Sequence, residues 1–158
     1  MTHIVHPFEP FCPPGSRILV LGSFPSAASR AQGFYYGHPR NRFWRVLAAV
    51  YGEDAPENLM QKQEFLARRN IALWDVILSC DIEGSADASI RNAVPGSLDR
   101  SCFLDIQKIY VNGRKAFELY NRYLFDKYGP AVYLPSTSAA NAAWSRERLI
   151  KAWSVINS

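Results

Sequence analysis

Apolar positions along the chain follow two rhythms, one suited to buried strands and one to helices. Ile18-Leu19-Val20-Leu21, behind Arg17, is a short aliphatic run that ends at Gly22. An unbroken apolar run of that length fits a strand covered on both faces. Residues 71–78 read the same way, with one acid, Asp75, inside the run. So do residues 106–111, ended by Asn112-Gly113, and residues 131–134, stopped by Pro135. Between these runs the spacing changes. Phe43, Leu47, Val50 and Tyr51 share one helical face within residues 41–51. Asp54, Pro56 and Glu57 predict a helix start, and that helix should run to Arg69. Residues 114–125 form another. Ser145 caps a last helix, with Glu147 in its first turn and Leu149, Trp153 and Ile156 on its buried face.

Strand-like and helix-like segments therefore alternate. That order predicts an α/β fold, a three-layer α/β/α arrangement around a central, mostly parallel four-stranded sheet. The length suits one domain spanning residues 1–158. Pro7, Pro10, Pro13 and Pro14 make residues 1–16 an irregular lead-in, with His3 and His6 in a mobile tail. Residues 23–39 read as loop, and residues 79–100 as mostly loop with a short helix. Ligands of open parallel sheets bind at the carboxyl ends of the strands. Here those ends carry Gly22-Ser23-Phe24-Pro25-Ser26, Asp75, Asn112-Gly113 and Leu134-Pro135-Ser136-Thr137-Ser138.

Composition narrows the classes. Of 158 residues, 48% are hydrophobic and 20% charged, which excludes a disordered chain. The net charge of +4 permits a polyanionic partner without requiring one. Cys12, Cys80 and Cys102 are odd in number and widely spaced, with no C-x-x-C. That argues against a disulfide framework and against zinc or iron–sulfur sites, and for reduced, buried thiols in a cytoplasmic protein. No metal and no cofactor is expected. The start of the chain has no signal-peptide pattern, and no apolar run approaches the ~20 residues of a membrane span. The G-x-S-x-G, P-loop, G-x-G-x-x-G and H-E-x-x-H motifs are all absent.

The densest candidate chemistry lies in Tyr35-Tyr36-Gly37-His38-Pro39-Arg40-Asn41-Arg42-Phe43-Trp44, at a loop-to-helix junction. Arginines can hold phosphates, and aromatic rings can stack on bases. The plainer alternatives are that Asn41 is a helix N-cap, Phe43 and Trp44 are core, and His38 is an ordinary hydrogen-bonding residue. Pro25-Ser26 and Pro135-Ser136 stand at two strand ends. Small hydroxyl residues with free backbone N–H groups suit phosphate oxygens, although proline and serine are also common turn residues.

Together these segments resemble the uracil-DNA glycosylase superfamily, and within it the hypoxanthine-DNA (deoxyinosine) glycosylase branch. The residues that carry the resemblance are Leu21-Gly22-Ser23-Phe24-Pro25-Ser26, the block from Tyr35 to Trp44, Leu73-Trp74-Asp75-Val76 and Leu134-Pro135-Ser136-Thr137-Ser138. They occur in the family's order over residues 17–141. The resemblance implies a monofunctional enzyme that extrudes a deaminated base from DNA and hydrolyses its N-glycosidic bond. Relatives usually carry a water-activating Asp or Asn in the loop after the first strand; Phe24 stands in that place here. As in the hypoxanthine branch, catalysis then passes to Asn41, which cannot act as a base but can orient water.

The same resemblance implies base contacts from Phe43, Ser23, Phe24, Tyr36 and His38, with Phe43 stacking on the extruded ring. Phosphate contacts fall to Pro25, Ser26, Arg40, Arg42, Ser136, Thr137 and Ser138. Asp75 lies near the relatives' base-reading asparagine. Its carboxylate could accept the ring N–H of hypoxanthine or uracil, where adenine offers only an acceptor; otherwise it binds backbone N–H groups at a strand end. Leu134 replaces a polar residue common before Pro-Ser. Ala139 and Ala140 stand where a bulky wedge is common. No lysine lies in the matched blocks, so simple hydrolysis without a Schiff base is expected. The expected partner is DNA carrying a deaminated base, bound by a monomer. Uracil preference, a catalytically silent DNA-binding module and a free-nucleoside hydrolase are the competing readings.

Overall fold

The computed structural model describes residues 1–158 and arranges the apolar runs in two sheets. In chain order the elements are β1 (Thr2–Val5), β2 (Ile18–Gly22), α1 (Ala27–Gln32), α2 (Phe43–Val50), α3 (Leu59–Arg68), β3 (Ile71–Asp75), β4 (Ile77–Ile82), β5 (Arg91–Pro95), β6 (Lys108–Asn112), α4 (Arg114–Tyr123), α5 (Phe125–Tyr128), β7 (Val132–Leu134) and α6 (Arg146–Trp153). The four expected strands form one sheet in the order β3-β2-β6-β7, and every neighbouring pair is parallel. Leu19, Val20 and Leu21 of β2 and all of β3 are buried, as strands covered on both faces must be. Helices cover the sheet: α3 packs on β3, α4 on β6 and β7, and α2 on α6.

Chain order runs outward from β2 to β3, then restarts on the other side with β6 and β7. The reversal opens a crevice beyond the carboxyl ends of β2 and β6, where such folds place ligands. Phe43 and Trp153 meet edge to face across the α2–α6 contact, with ring centroids 5.8 Å apart. The indole N–H of Trp153 also donates to the carbonyl of Pro135 at 2.9 Å. One buried ring thereby ties the last helix to the loop after β7.

Several expectations are corrected. Residues 1–16 are not simply an irregular lead-in. β1 pairs antiparallel with β4, Phe11 bridges Leu73, and His6 is buried rather than part of a mobile tail. Prolines shape the stretch between, but β1 lies before the first of them. The run 71–78 is two strands, because the chain leaves the parallel sheet after Asp75 and begins β4 at Ile77. Residues 79–100 are mainly a hairpin of β4 and β5 with a 3-10 turn at Asp87–Ser89. Its half-buried alternation is too irregular to read, since the pairing register shifts twice. Helix α3 starts at Leu59, not near Asp54, because the Asn58 side chain accepts from the Gln61 N–H and takes the cap. The loop 23–39 contains α1, capped by Ser26. Of the thiols, only Cys80 is buried; Cys12 and Cys102 are half-buried, and all three are free. No helix is long and apolar enough to cross a membrane.

Trp153→Ala should lower unfolding free energy by about 3–5 kcal/mol, the usual cost of deleting a fully buried large aromatic. Urea denaturation should show this as a lower midpoint with an unchanged slope.

Candidate active site

A pocket of about 320 Å³ opens at the crevice between β2 and β6. That lies at the lower end of the range for small-molecule sites. Eleven of the fourteen residues given a site role from the sequence line it: Ser23, Phe24, Pro25, Ser26, Tyr36, His38, Asn41, Asp75, Ser136, Thr137 and Ser138. They come from the loops after β2 and β7, the end of β3, and the turn into α2.

A directed chain of hydrogen bonds organises one wall. The N–H of Thr137 donates to Asn112 Oδ1 at 3.1 Å, which fixes that amide's orientation. Asn112 Nδ2 then donates to Thr137 Oγ1 at 3.0 Å. The Thr137 hydroxyl passes its own proton on to Asn41 Oδ1 at 2.9 Å. The same oxygen accepts the Phe43 N–H at 2.9 Å. An amide oxygen has two lone pairs, and both are taken. Asn41 is thus a cap-like residue, as its plainer reading had it. It also lines the pocket with an Nδ2 that has no partner within the protein.

The floor is built around Asp75, which is only 4% exposed. His6 Nε2 lies 2.7 Å from Asp75 Oδ2, and its Nδ1 accepts a long bond from the Phe8 N–H. That assignment makes Nε2 the protonated nitrogen, donating to the carboxylate. Trp74 and Phe8 hold the His6 ring, with centroids 4.4 Å and 4.6 Å away. Asp75 Oδ1 sits over Gly22, where any Cβ would come within 2.6 Å of it. Tyr36 reaches the same corner from a left-handed backbone, φ +54°, uncommon for a bulky residue. Its hydroxyl is buried without a partner. Burial first, and the nearby Asp75 carboxylate second, push its pKa well above the usual phenol value against a lowering contribution from the neighbouring Asn112 amide, so it remains an O–H donor.

Three expected contacts fall elsewhere. Phe43 is fully buried and its ring is covered by Tyr36, stacked at 4.0 Å and 18°. The helix face claims it, so Phe24, Tyr35 and Tyr36 supply the aromatic lining of the pocket instead. Arg42 does not present its guanidinium to a phosphate. It donates to the carbonyls of Ser138 at 2.8 Å and Asn141 at 3.2 Å, and also bonds the carbonyls of Thr137 and Trp144. Arg40 is exposed beside the pocket rather than in it. Ser26 uses its oxygen to cap α1. Ser136 and Ser138 each accept one backbone N–H, from Ser138 and Ala140, and retain their hydroxyl protons for donation. His38 Nδ1 accepts from the Arg40 N–H.

The sequence reading gave no site role to His6, Asn112 or Asp87. Asn112 was discoverable, because it ends a strand whose tip was already singled out. Asp87 reaches the pocket from the 3-10 turn between β4 and β5, and the Ser23 hydroxyl donates to its Oδ1 at 2.8 Å. Crowding by protein raises its pKa, an effect countered by the Ser23 bond and by Lys115. No local pattern marks that turn.

A model of the uracil DNA glycosylase superfamily matches residues 9–157. A hypoxanthine DNA glycosylase from Methanosarcina acetivorans is 35% identical over 136 residues, covering 84% of this chain and 85% of that protein. Another, from Methanosarcina barkeri, is 35% identical over 114 residues, covering 70% and 72%. A solution NMR structure from Methanosarcina acetivorans, provisionally assigned as a uracil DNA glycosylase, superposes with a TM-score of 0.78 at 30% identity. It covers 96% of this chain and 97% of that one.

Arg42→Lys should destabilise the protein by about 2 kcal/mol, because a single ammonium cannot serve carbonyls spread over residues 137–144. Amide hydrogen exchange should rise in that loop while β2 and β3 keep their protection.

Proposed function

Because the chain belongs to the uracil DNA glycosylase superfamily, we propose that it hydrolyses the N-glycosidic bond of hypoxanthine in DNA. The two Methanosarcina relatives carry that name at 35% identity. The observation that carries the reading is the composition of the pocket floor: one carboxylate acceptor, Asp75, beside one unpartnered O–H donor, Tyr36. Hypoxanthine presents a ring N–H next to a carbonyl oxygen. Asp75 accepts the N–H and the Tyr36 hydroxyl donates to the oxygen. Adenine reverses both partners at that edge, so its pairing would leave buried groups unmatched, the kind of mismatch that discriminates strongly.

Extruding the base costs a few kcal/mol, least at a mismatched pair. Donors at Ser136 and Ser138, with exposed Arg40 beside the pocket, offset part of that cost by holding backbone phosphates. The sugar then becomes oxocarbenium-like as the bond to the base stretches. Asn41, with its oxygen occupied, serves through Nδ2, which anchors the oxygen of the attacking water near the sugar carbon. Hydrolysis is direct, without a covalent intermediate.

The test is release of free base from duplex oligonucleotides carrying hypoxanthine, uracil, xanthine or adenine at one position. Hypoxanthine should be released fastest and adenine not at all; uracil ahead of hypoxanthine would move the assignment to uracil, and no release from any lesion would end the enzymatic reading. Asn41→Ala should slow single-turnover release by about 100-fold, the usual scale for a positioned catalytic group. Asp75→Asn retains an acceptor for His6 but turns an N–H donor toward the base. Hypoxanthine release should then fall about 10- to 100-fold, the cost of a buried unpaired donor, with a smaller loss for any residual adenine release.

A further inference from the structure

We propose that Asp87 is the general base of the reaction, accepting the proton of the attacking water. The inference rests on the glycosidic hydrolysis proposed above and supplies a group that reading lacks. Water attacking the sugar carbon must give up a proton, and the loop after β2 lines the pocket with Ser23, Phe24, Pro25 and Ser26, none of which is a base. Asn41 cannot take the proton. It does not titrate, and both lone pairs of its oxygen are held by Phe43 and Thr137. Asn112 Oδ1 is likewise held by the Thr137 N–H. Asp75 gives one oxygen to His6 and lies on the buried floor against Gly22. Asp87 is the remaining carboxylate of the pocket. Its Oδ1 accepts from the Ser23 hydroxyl at 2.8 Å, which fixes the group's position, and its Oδ2 has no partner within the protein.

The placement restores from another part of the chain what the loop after β2 lacks. Ser23 lies in that loop, so the carboxylate delivered by the β4–β5 connection is tethered directly to it. In the step itself, the water oxygen bonds to the sugar C1′ as the bond from C1′ to the base nitrogen breaks. The bonding pair leaves with the base, and one water proton passes to Asp87 Oδ2. The base then takes a proton from solvent, and Asp87 loses its own to solvent.

The groups that face Asp87 set its behaviour with pH. Burial raises its pKa most, the Ser23 hydroxyl and Lys115 on α4 lower it, and the Asp75 carboxylate, paired with His6, raises it least; Tyr36 and Cys80 also lie within its field. The residue's open side limits the effect of burial. A base with a raised pKa loses its function as pH falls through that value. The wild-type single-turnover rate should therefore decline on the acid side.

Single-turnover release of hypoxanthine should be measured from pH 4.5 to 8.5 for the wild type, Asp87→Asn and Asp87→Ala, with DNA affinity measured in parallel. Asp87→Asn keeps an oxygen for the Ser23 hydroxyl and should leave affinity unchanged. Its rate should be at least ~100-fold lower and the acid limb lost, as removal of a general base requires. Added formate should restore Asp87→Ala at least tenfold without accelerating the wild type, a response that a merely structural role does not give. An active wild type with Asp87→Asn within threefold of its rate, or with no acid limb, overturns the inference alone. If Asp87→Asn fails to fold, the wild-type acid limb and the formate response of Asp87→Ala decide. A wild type that releases no base from any lesion overturns the functional reading and this inference together.

Discussion

The site depends on the direction of one run of hydrogen bonds. The Thr137 N–H can only donate, so Asn112 must turn its oxygen toward it. From that single constraint the orientation of Asn112, the rotor of the Thr137 hydroxyl and the face of Asn41 follow in sequence. The Phe43 N–H at the start of α2 closes the run from the other side. Two backbone groups, one after β7 and one at a helix start, therefore decide what Asn41 offers to the pocket. Arg42 supports the arrangement by gathering the carbonyls of the loop that carries Thr137. A charged side chain shared among several carbonyls is a strong local constraint.

Much of this was readable in the chain. β2, β6 and β7 are short apolar runs bounded by glycine, asparagine or proline, and each was found within a residue or two of its ends. The parallel sheet followed from their alternation with helical spacing, and the pocket's place followed from the sheet. Asp75 and the Ser136–Ser138 segment face the crevice as the strand-end argument requires, and Asn41 joins them from the turn into α2. The resemblance to the glycosylase superfamily supplied the roles that periodicity cannot.

What was not readable depends on contacts between distant residues. Little near His6 signals burial, because beyond Phe8 its cage comes from Phe24 and Trp74 in separate segments. The register shifts of β5 hide its strand character, and with it the turn that delivers Asp87. Phe43 and Arg42 have the right chemistry for bases and phosphates, but stronger local demands take them. A fully buried helix face claims the ring, and unpaired carbonyls claim the guanidinium. Composition cannot distinguish an arginine awaiting a ligand from one already engaged by its own chain.

The pairing of β1 with β4 bears on how the protein acquires its shape during synthesis. Thr2 faces Ile82, and His6 meets a carboxylate sixty-nine positions later. On a ribosome the amino-terminal strand emerges first and has no ladder to join until the middle of the polypeptide has followed it. Arg42 waits longer still for Trp144. Closing such distant contacts is slow relative to local helix formation. Nascent chains thus hold a half-built cleft until translation is nearly complete, and the reactive centre is among the last parts of the molecule to assemble.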